Sequence, residues 1–236
     1  MVNELNYRKL KRIASIIWPK HSIIIERLNN NALTKKFSEK INAIRLSDSI
    51  SLYVYLNENL LKNAAIDYLE FGTAEGGTIK AWLSLNTNPT SRFFGFDTFT
   101  GLPEDWFGNF KRGVFDTGGS TPSLSDKRVK FIKGLFQEKL DDFLHNFERT
   151  GDRAIIHIDA DLYSSTLYVL TKLDSFFLKG DILLFDDFLD PIGEFKAYKD
   201  WVKSYRKTLI PIAYVGYNKF IDKIAFIFED KSPKVS

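Results

Sequence analysis

From Ile66 onward, short apolar runs alternate with stretches whose apolar residues recur at helical spacing. The runs "IDYLEF", "RFFGF", "VKFI", "AIIHID" and "DILLF" are rich in β-branched and aromatic residues, as buried strands are. Strands separated by helices predict a parallel sheet covered on both faces. Among the helices, "STLYVLTKLDSFF" sets Leu167, Leu170 and Phe177 on one face, and Gly180 ends it. The last two runs, "LIPIAYVG" and "KIAFIFE", are joined only by "YNKFID". That link is too short for a crossover helix, so the final pair is expected to be antiparallel. Residues 1–65 read as an N-terminal helical extension with a break at "NNN" (29–31), and residues 66–236 as the α/β domain. Between Gly108 and Asp126 a stretch rich in Gly, Ser, Thr and Asp lacks periodicity, the pattern of a lid or a disordered loop.

The 236 residues are 44% hydrophobic and 15% aromatic, enough for one core with an appendage. No cysteine is present, which excludes disulfides and thiolate metal sites. With no long apolar segment and no signal-peptide pattern, a cytoplasmic protein without a membrane span is expected. Net charge is +3, but residues 1–40 carry nine Lys and Arg against three acids. In "YRKLKRIASIIWPK" the basic residues lie opposite Leu10, Ile13, Ala14 and Ile17. This basic face reads either as a membrane-surface or nucleic-acid contact or, in the preferred reading, as the solvated face of a helix that packs on its own domain or on a sister subunit. A homo-oligomer is also expected. No aromatic-basic interleaving or zinc pattern argues for nucleic acid.

"YLEFGTAEGGTIKAWL" reads as strand, glycine turn and helix, with Gly72, Gly76 and Gly77 letting the backbone approach a ligand. The spacing is Gly-x-x-x-Gly-Gly rather than the dinucleotide pattern, and Glu70 and Glu75 flank the turn. Acids there suit a sulfonium better than a pyrophosphate. Asp97 ends the next strand, placed either to accept hydrogen bonds from both ribose hydroxyls or to serve as a turn residue. After the third strand, Gly134, Phe136 and Gln137 are placed to flank a purine ring. Two acidic pairs then close the next two strands: Asp159 and Asp161 in "IIHIDADLYSST", and Asp186 and Asp187 in "DILLFDD".

Taken together, "YLEFGTAEGGTIKAW", "FFGFDTFTGLPEDW", "VKFIKGLFQEKL", "HIDADLYSSTLYVL" and "GDILLFDDF", in this order and at these separations, resemble the macrocin O-methyltransferase family over roughly Ile66 to Tyr198. Members use S-adenosylmethionine and magnesium to methylate sugar hydroxyls in natural product biosynthesis. The resemblance implies a class I methyltransferase Rossmann-like sheet of order 3-2-1-4-5-7-6 with the last strand antiparallel. It implies a cofactor turn at Glu70, Gly72 and Gly76 with Thr73 beside them, and a ribose acid at Asp97 followed by Thr98. Gly134, Phe136, Gln137 and Asp159 complete the implied cofactor site. The implied metal ligands are Asp159, Asp186 and Asp187, and the implied general base is Asp161. Two regions depart from the family pattern, "LSDSISLYVYLNENLL" and the central loop, and both would shape the acceptor pocket.

Strand-end chemistry points the same way. Ligands of parallel sheets sit beyond the carboxyl ends of the strands, so Asp159, Asp186 and Asp187 should converge on one crevice. Close carboxylates repel, a hard divalent cation relieves the repulsion, and an all-oxygen set favours Mg2+. His157 lies two residues before Asp159 along the strand, further from the crevice, so Asp161 is the better base. Tyr163, Ser164 and Ser165 are expected to cap the next helix. The expected activity is therefore methyl transfer to a hydroxyl of a sugar or glycosylated small molecule. A metal-dependent catechol-type methyltransferase is the alternative. A Rossmann oxidoreductase is disfavoured by the glycine spacing and the terminal hairpin, and a silent scaffold by the intact acids.

Overall fold

The computed structural model describes residues 23–106, 109–217 and 220–229. The basic stretch at residues 7–20 and its expected helix lie outside them. The elements run α1 (Ile23–Lys40), β1 (Ile44–Leu46), α2 (Ser49–Tyr55) with a π-helical continuation (Leu56–Leu61), β2 (Ile66–Phe71), α3 (Gly77–Leu85), β3 (Arg92–Asp97) and β4 (Val129–Lys133). They continue as α4 (Phe136–His145), β5 (Arg153–Ile158), α5 (Tyr163–Lys172), β6 (Ile182–Phe185), α6 (Glu194–Ser204), β7 (Thr208–Tyr217) and β8 (Phe220–Glu229). No described helix is long and apolar enough to cross a membrane.

One eight-stranded sheet has the order β1-β7-β8-β6-β5-β2-β3-β4. Seven strands follow the expected order, and β8 runs antiparallel to both β6 and β7. The eighth strand was not anticipated. Ile44–Leu46 pairs parallel with Ala213–Val215, so the segment before Ile66 is not helical throughout but supplies an edge of the sheet. Pro211, which has no N–H to give a ladder, falls outside the β1-paired residues and beside a register shift in the β7–β8 pairing. A second difference is at "NNN", where α1 continues unbroken. Asn30 is 2% exposed and its Oδ1 accepts from Lys199 Nζ at 2.7 Å, so tertiary contact overrides weak helix propensity.

Both faces of the sheet are covered, which is why β2, β5 and β6 read as continuous apolar runs. Strand alternation divides the core. Leu69, Phe71, Ile156, Ile158, Leu183 and Phe185 pack with α5 and α6 residues such as Val169, Leu170, Phe195 and Trp201. Ile66, Tyr68, Ile155, Ile182 and Leu184 pack instead with Leu52, Tyr53, Ile79 and Trp82 from α2 and α3. The second face also carries Glu70 and His157, in step with Tyr68 and Ile155. The carboxyl tips of β2, β3, β5 and β6 end side by side, and the acids stand there.

Candidate active site

Gly72 leaves β2 with φ +95°, and a Cβ on it would lie 1.7 Å from the carbonyl oxygen of Asp159. Its lack of a side chain is needed first by the protein's own backbone, because it lets the tips of β2 and β5 meet. The Asp159 N–H donates to Phe71 O at 2.9 Å. Asp97, at the tip of β3, organises the glycine turn. Its Oδ2 accepts from the N–H groups of Thr73 (2.8 Å) and Ala74 (2.7 Å), and its Oδ1 from that of Phe99 (2.7 Å). The turn-residue role is thus present, although Asp97 also faces a cavity.

That cavity, of about 290 Å3, opens over the strand tips. Gly72, Asp97, Thr98, Phe136, Gln137, Asp159, Asp161 and Asp187 line it. The remaining expected cofactor residues stand behind the wall. Gly76 caps α3 in the left-handed conformation, Thr73 is buried, and Gly134 bonds its N–H to Asp97 O at 3.0 Å. Glu70 is 1% exposed and takes the Tyr68 hydroxyl at 2.5 Å; that hydroxyl is also 2.7 Å from His157 Nδ1. Burial pushes the Glu70 carboxyl well above the usual carboxylate range, with Asp159, Asp186 and Asp97 adding to the effect against the Tyr68 hydrogen bond. From the central loop, Phe115, Leu102 and Pro103 reach the cavity wall, and Trp106 Nε1 donates to Asp190 Oδ2 at 2.8 Å.

Among the described residues, Asp159, Asp161 and Asp187 each offer an oxygen within 4.8 Å of the others. Asp186 is not in this group. It continues the Leu184 face of β6, where its Oδ1 is 3.5 Å from His157 Nε2 and its Oδ2 is bonded to Lys223 Nζ. Asp187 continues the Phe185 face and enters the cavity. Burial works against the charge on Asp186, yet the hydrogen bond and charge of His157, with Lys223, hold it down to about 2. Burial and the hydrogen-bonded Asp187 push Asp161 up to about 9. Burial also raises Asp159, reinforced by Asp186 and Asp187, and raises Asp187. Asp161 holds φ +57°, a left-handed conformation that costs a non-glycine residue about 1–2 kcal/mol. Strain of this kind gathers at functional sites.

Two features escaped the sequence reading. Glu194, at the first position of α6 and fully buried, accepts the Ala160 N–H on Oε1 (3.1 Å) and the Asp187 N–H on Oε2 (3.0 Å). An acid at the start of a helix is a weak signal, and nothing local shows that its partners lie in two other loops. The α5 cap also differs, because Leu162 caps it without a side-chain bond and Ser164 Oγ donates to Glu104 Oε1 at 2.5 Å. Ser165 faces the cavity instead.

The model of the Macrocin-O-methyltransferase (TylF) family matches residues 115–217, which include β5, β6 and all four acids at their tips. The motif-based resemblance therefore holds, and with it the enzyme class, an O-methyltransferase. No curated protein sequence matches the chain. CalS11, a calicheamicin methyltransferase, superposes with a TM-score of 0.63 at 20% identity, covering 97% of this chain and 94% of that one. Its apo form, described as a TDP-rhamnose 3'-O-methyltransferase, gives 0.53 at 18% over 97% and 96%. The O-methyltransferase NovP gives 0.54 at 18%, covering 75% and 78%. A Mg-SAM structure of cmcI gives 0.50 at 15%, covering 77% and 72%. At these identities the structural likeness establishes the class I methyltransferase fold.

Proposed function

We propose that this chain is an S-adenosylmethionine- and Mg2+-dependent O-methyltransferase acting on a hydroxyl of a sugar or glycosylated small molecule. The observation that carries the reading is the meeting of Asp159, Asp161 and Asp187 in the wall of one cavity that Gly72, Asp97 and Phe136 also line. An all-oxygen donor set of three carboxylates fits a hard divalent cation. CalS11 supports a sugar acceptor and the Mg-SAM form of cmcI supports the cofactor pair.

In this reading Asp159 and Asp187 hold the ion, and Asp161 completes the group. Asp186, engaged by Lys223 and His157, stands behind them. Mg2+ held there would supply positive charge that favours ionised carboxylates and a more acidic acceptor hydroxyl. Asp161 is the residue that would take the hydroxyl proton. Asp97 has used three of about four acceptor positions within the chain, leaving one on Oδ1 for a ribose hydroxyl. The Phe136 ring offers the purine an apolar face. Methyl transfer to a hydroxyl cancels charge, so the protein acts chiefly by holding donor and acceptor in line, worth about 7–11 kcal/mol in favourable cases. The chain is further proposed to act in the cytoplasm as a homo-oligomer.

The test is a methyl transfer assay with isotopically labelled S-adenosylmethionine against a panel of glycosides and nucleotide sugars. Labelled product should form with Mg2+, disappear in excess EDTA and return when Mg2+ is restored. Turnover that persists in EDTA would remove the metal from this account. Label found only on catechols would replace the acceptor class.

A further inference from the structure

Glu194 is fully buried, and its neighbours are carboxylates. Burying an acid beside other acids is costly, so its retention calls for a reason. Its two oxygens reach two different loops. One binds the N–H of Ala160, the residue between Asp159 and Asp161; the other binds the N–H of Asp187. A single side chain thereby ties together the backbone segments that carry all three members of the acid group. Only a carboxylate presents two acceptor oxygens on one short fork; an amide presents one acceptor and a donor.

The approach of α6 is built for this contact. A Cβ on Gly193 would lie 2.4 Å from Asp190 Oδ2 and 2.5 Å from the carbonyl oxygen of Asp161. Only glycine lets the start of α6 press against the Asp161 backbone and carry Glu194 between the loops. Asp190 is held in turn, accepting from Trp106 Nε1 at 2.8 Å and from the Ile192 N–H at 3.2 Å.

We infer that Glu194 is a positioning residue that sets the spacing of Asp159, Asp161 and Asp187 for a divalent cation. This role rests on the metal reading above. Groups that orient ligands without touching the metal typically change its affinity about 10–100-fold when altered. Glu194→Gln keeps the shape but leaves one N–H facing an amide donor. Gly193→Ala displaces the start of α6 and leaves Glu194 itself unchanged.

Mn2+ binding, followed by electron paramagnetic resonance, reads the spacing without needing the acceptor. In Glu194→Gln the Mn2+ dissociation constant should rise about tenfold or more, while S-adenosylmethionine affinity by calorimetry stays near the wild-type value and far-ultraviolet circular dichroism shows the fold kept. Gly193→Ala should move Mn2+ affinity the same way. Trp201→Phe, on the same helix as Glu194, removes the Trp201 Nε1 bond to Asp174 Oδ1 and should lower melting while leaving Mn2+ affinity unchanged. Wild-type protein binding Mn2+ and a folded Glu194→Gln binding it equally well would overturn the role of Glu194 alone. Wild-type protein that binds no Mn2+ would overturn the metal reading, and this role with it.

Discussion

Asp186 and Asp187 are adjacent in the chain and differ in every other respect. The alternation of a strand sends one toward His157 and Lys223 and the other into the cavity. Their substitutions should therefore separate. Asp187→Asn removes an oxygen from the acid group and should weaken Mn2+ binding at least about tenfold, with little loss of stability because the charge repulsion there also falls. Asp186→Asn should leave Mn2+ binding within a few-fold. It strands the Lys223 ammonium in a mostly buried place, which should cost about 1–3 kcal/mol in urea unfolding. The reverse pattern, with Mn2+ lost in Asp186→Asn and kept in Asp187→Asn, would show that the ion sits on the His157 side. The same strand alternation explains the partial legibility of the site. Four acids at two strand ends are visible in the sequence, but the side each one takes depends on where the strand stops and the chain turns. Asp161 joins Asp159 and Asp187 because Leu162 N–H closes back onto Ala160 O at 2.5 Å, a tight turn with no signature in "DADLY".

At the scale of elements, the glycine turn after β2 is the most constrained joint. Alanine at Gly72 would meet the Asp159 carbonyl and a φ of +95°, so Gly72→Ala should lose about 1–2 kcal/mol from the backbone conformation and more from the displaced strand tips. Urea unfolding measures it, and a change under about 0.5 kcal/mol, typical of a surface site, would contradict the close approach. Seven strands were legible because each is a compact apolar run between breakers, and the short link between the last two fixed their antiparallel sense. β1 was not, because Ile-Arg-Leu is three residues long with Ile44 and Arg45 exposed, and it is a strand only through its pairing with β7. "NNN" misled for the opposite reason: the chemistry of a break is there, but α1 packs on β8 and α6, whose Lys199 bonds Asn30 Oδ1. Gly72 was read as a place where the backbone approaches a ligand; in the structure its nearest partner is the Asp159 carbonyl at the neighbouring strand tip. Glu194 stayed hidden because both its partners are backbone groups, which a sequence does not distinguish from any others.

Across the whole molecule, the acid group makes stability depend on pH and on divalent cations together. Asp161 is raised from its ordinary 3.8 to about 9 by burial and by Asp187, and Asp159, Asp187 and Glu194 are raised as well, burial again first among the causes. A carboxyl that keeps its proton longer in the folded chain than in the unfolded one contributes its full stability below the unfolded value. It loses that contribution as pH climbs toward the folded value. For Asp161 the window runs from 3.8 to about 9, so in EDTA the melting temperature should fall between about pH 6 and about pH 8.5. Asp186, held down to about 2, gives the opposite trend, but its window ends near 3.8 and lies below this range. A cation that binds only the folded chain adds stability by mass action, and it competes with protons for the same oxygens. Millimolar Mg2+ should therefore raise the melting temperature more at the alkaline end and flatten the profile. Asp161→Asn should reduce the alkaline fall even without metal, because one of the groups responsible no longer titrates. A melting profile in EDTA that is level across this range, and unmoved by Mg2+ at its alkaline end, would mean that the three carboxylates do not share one buried place in the folded protein.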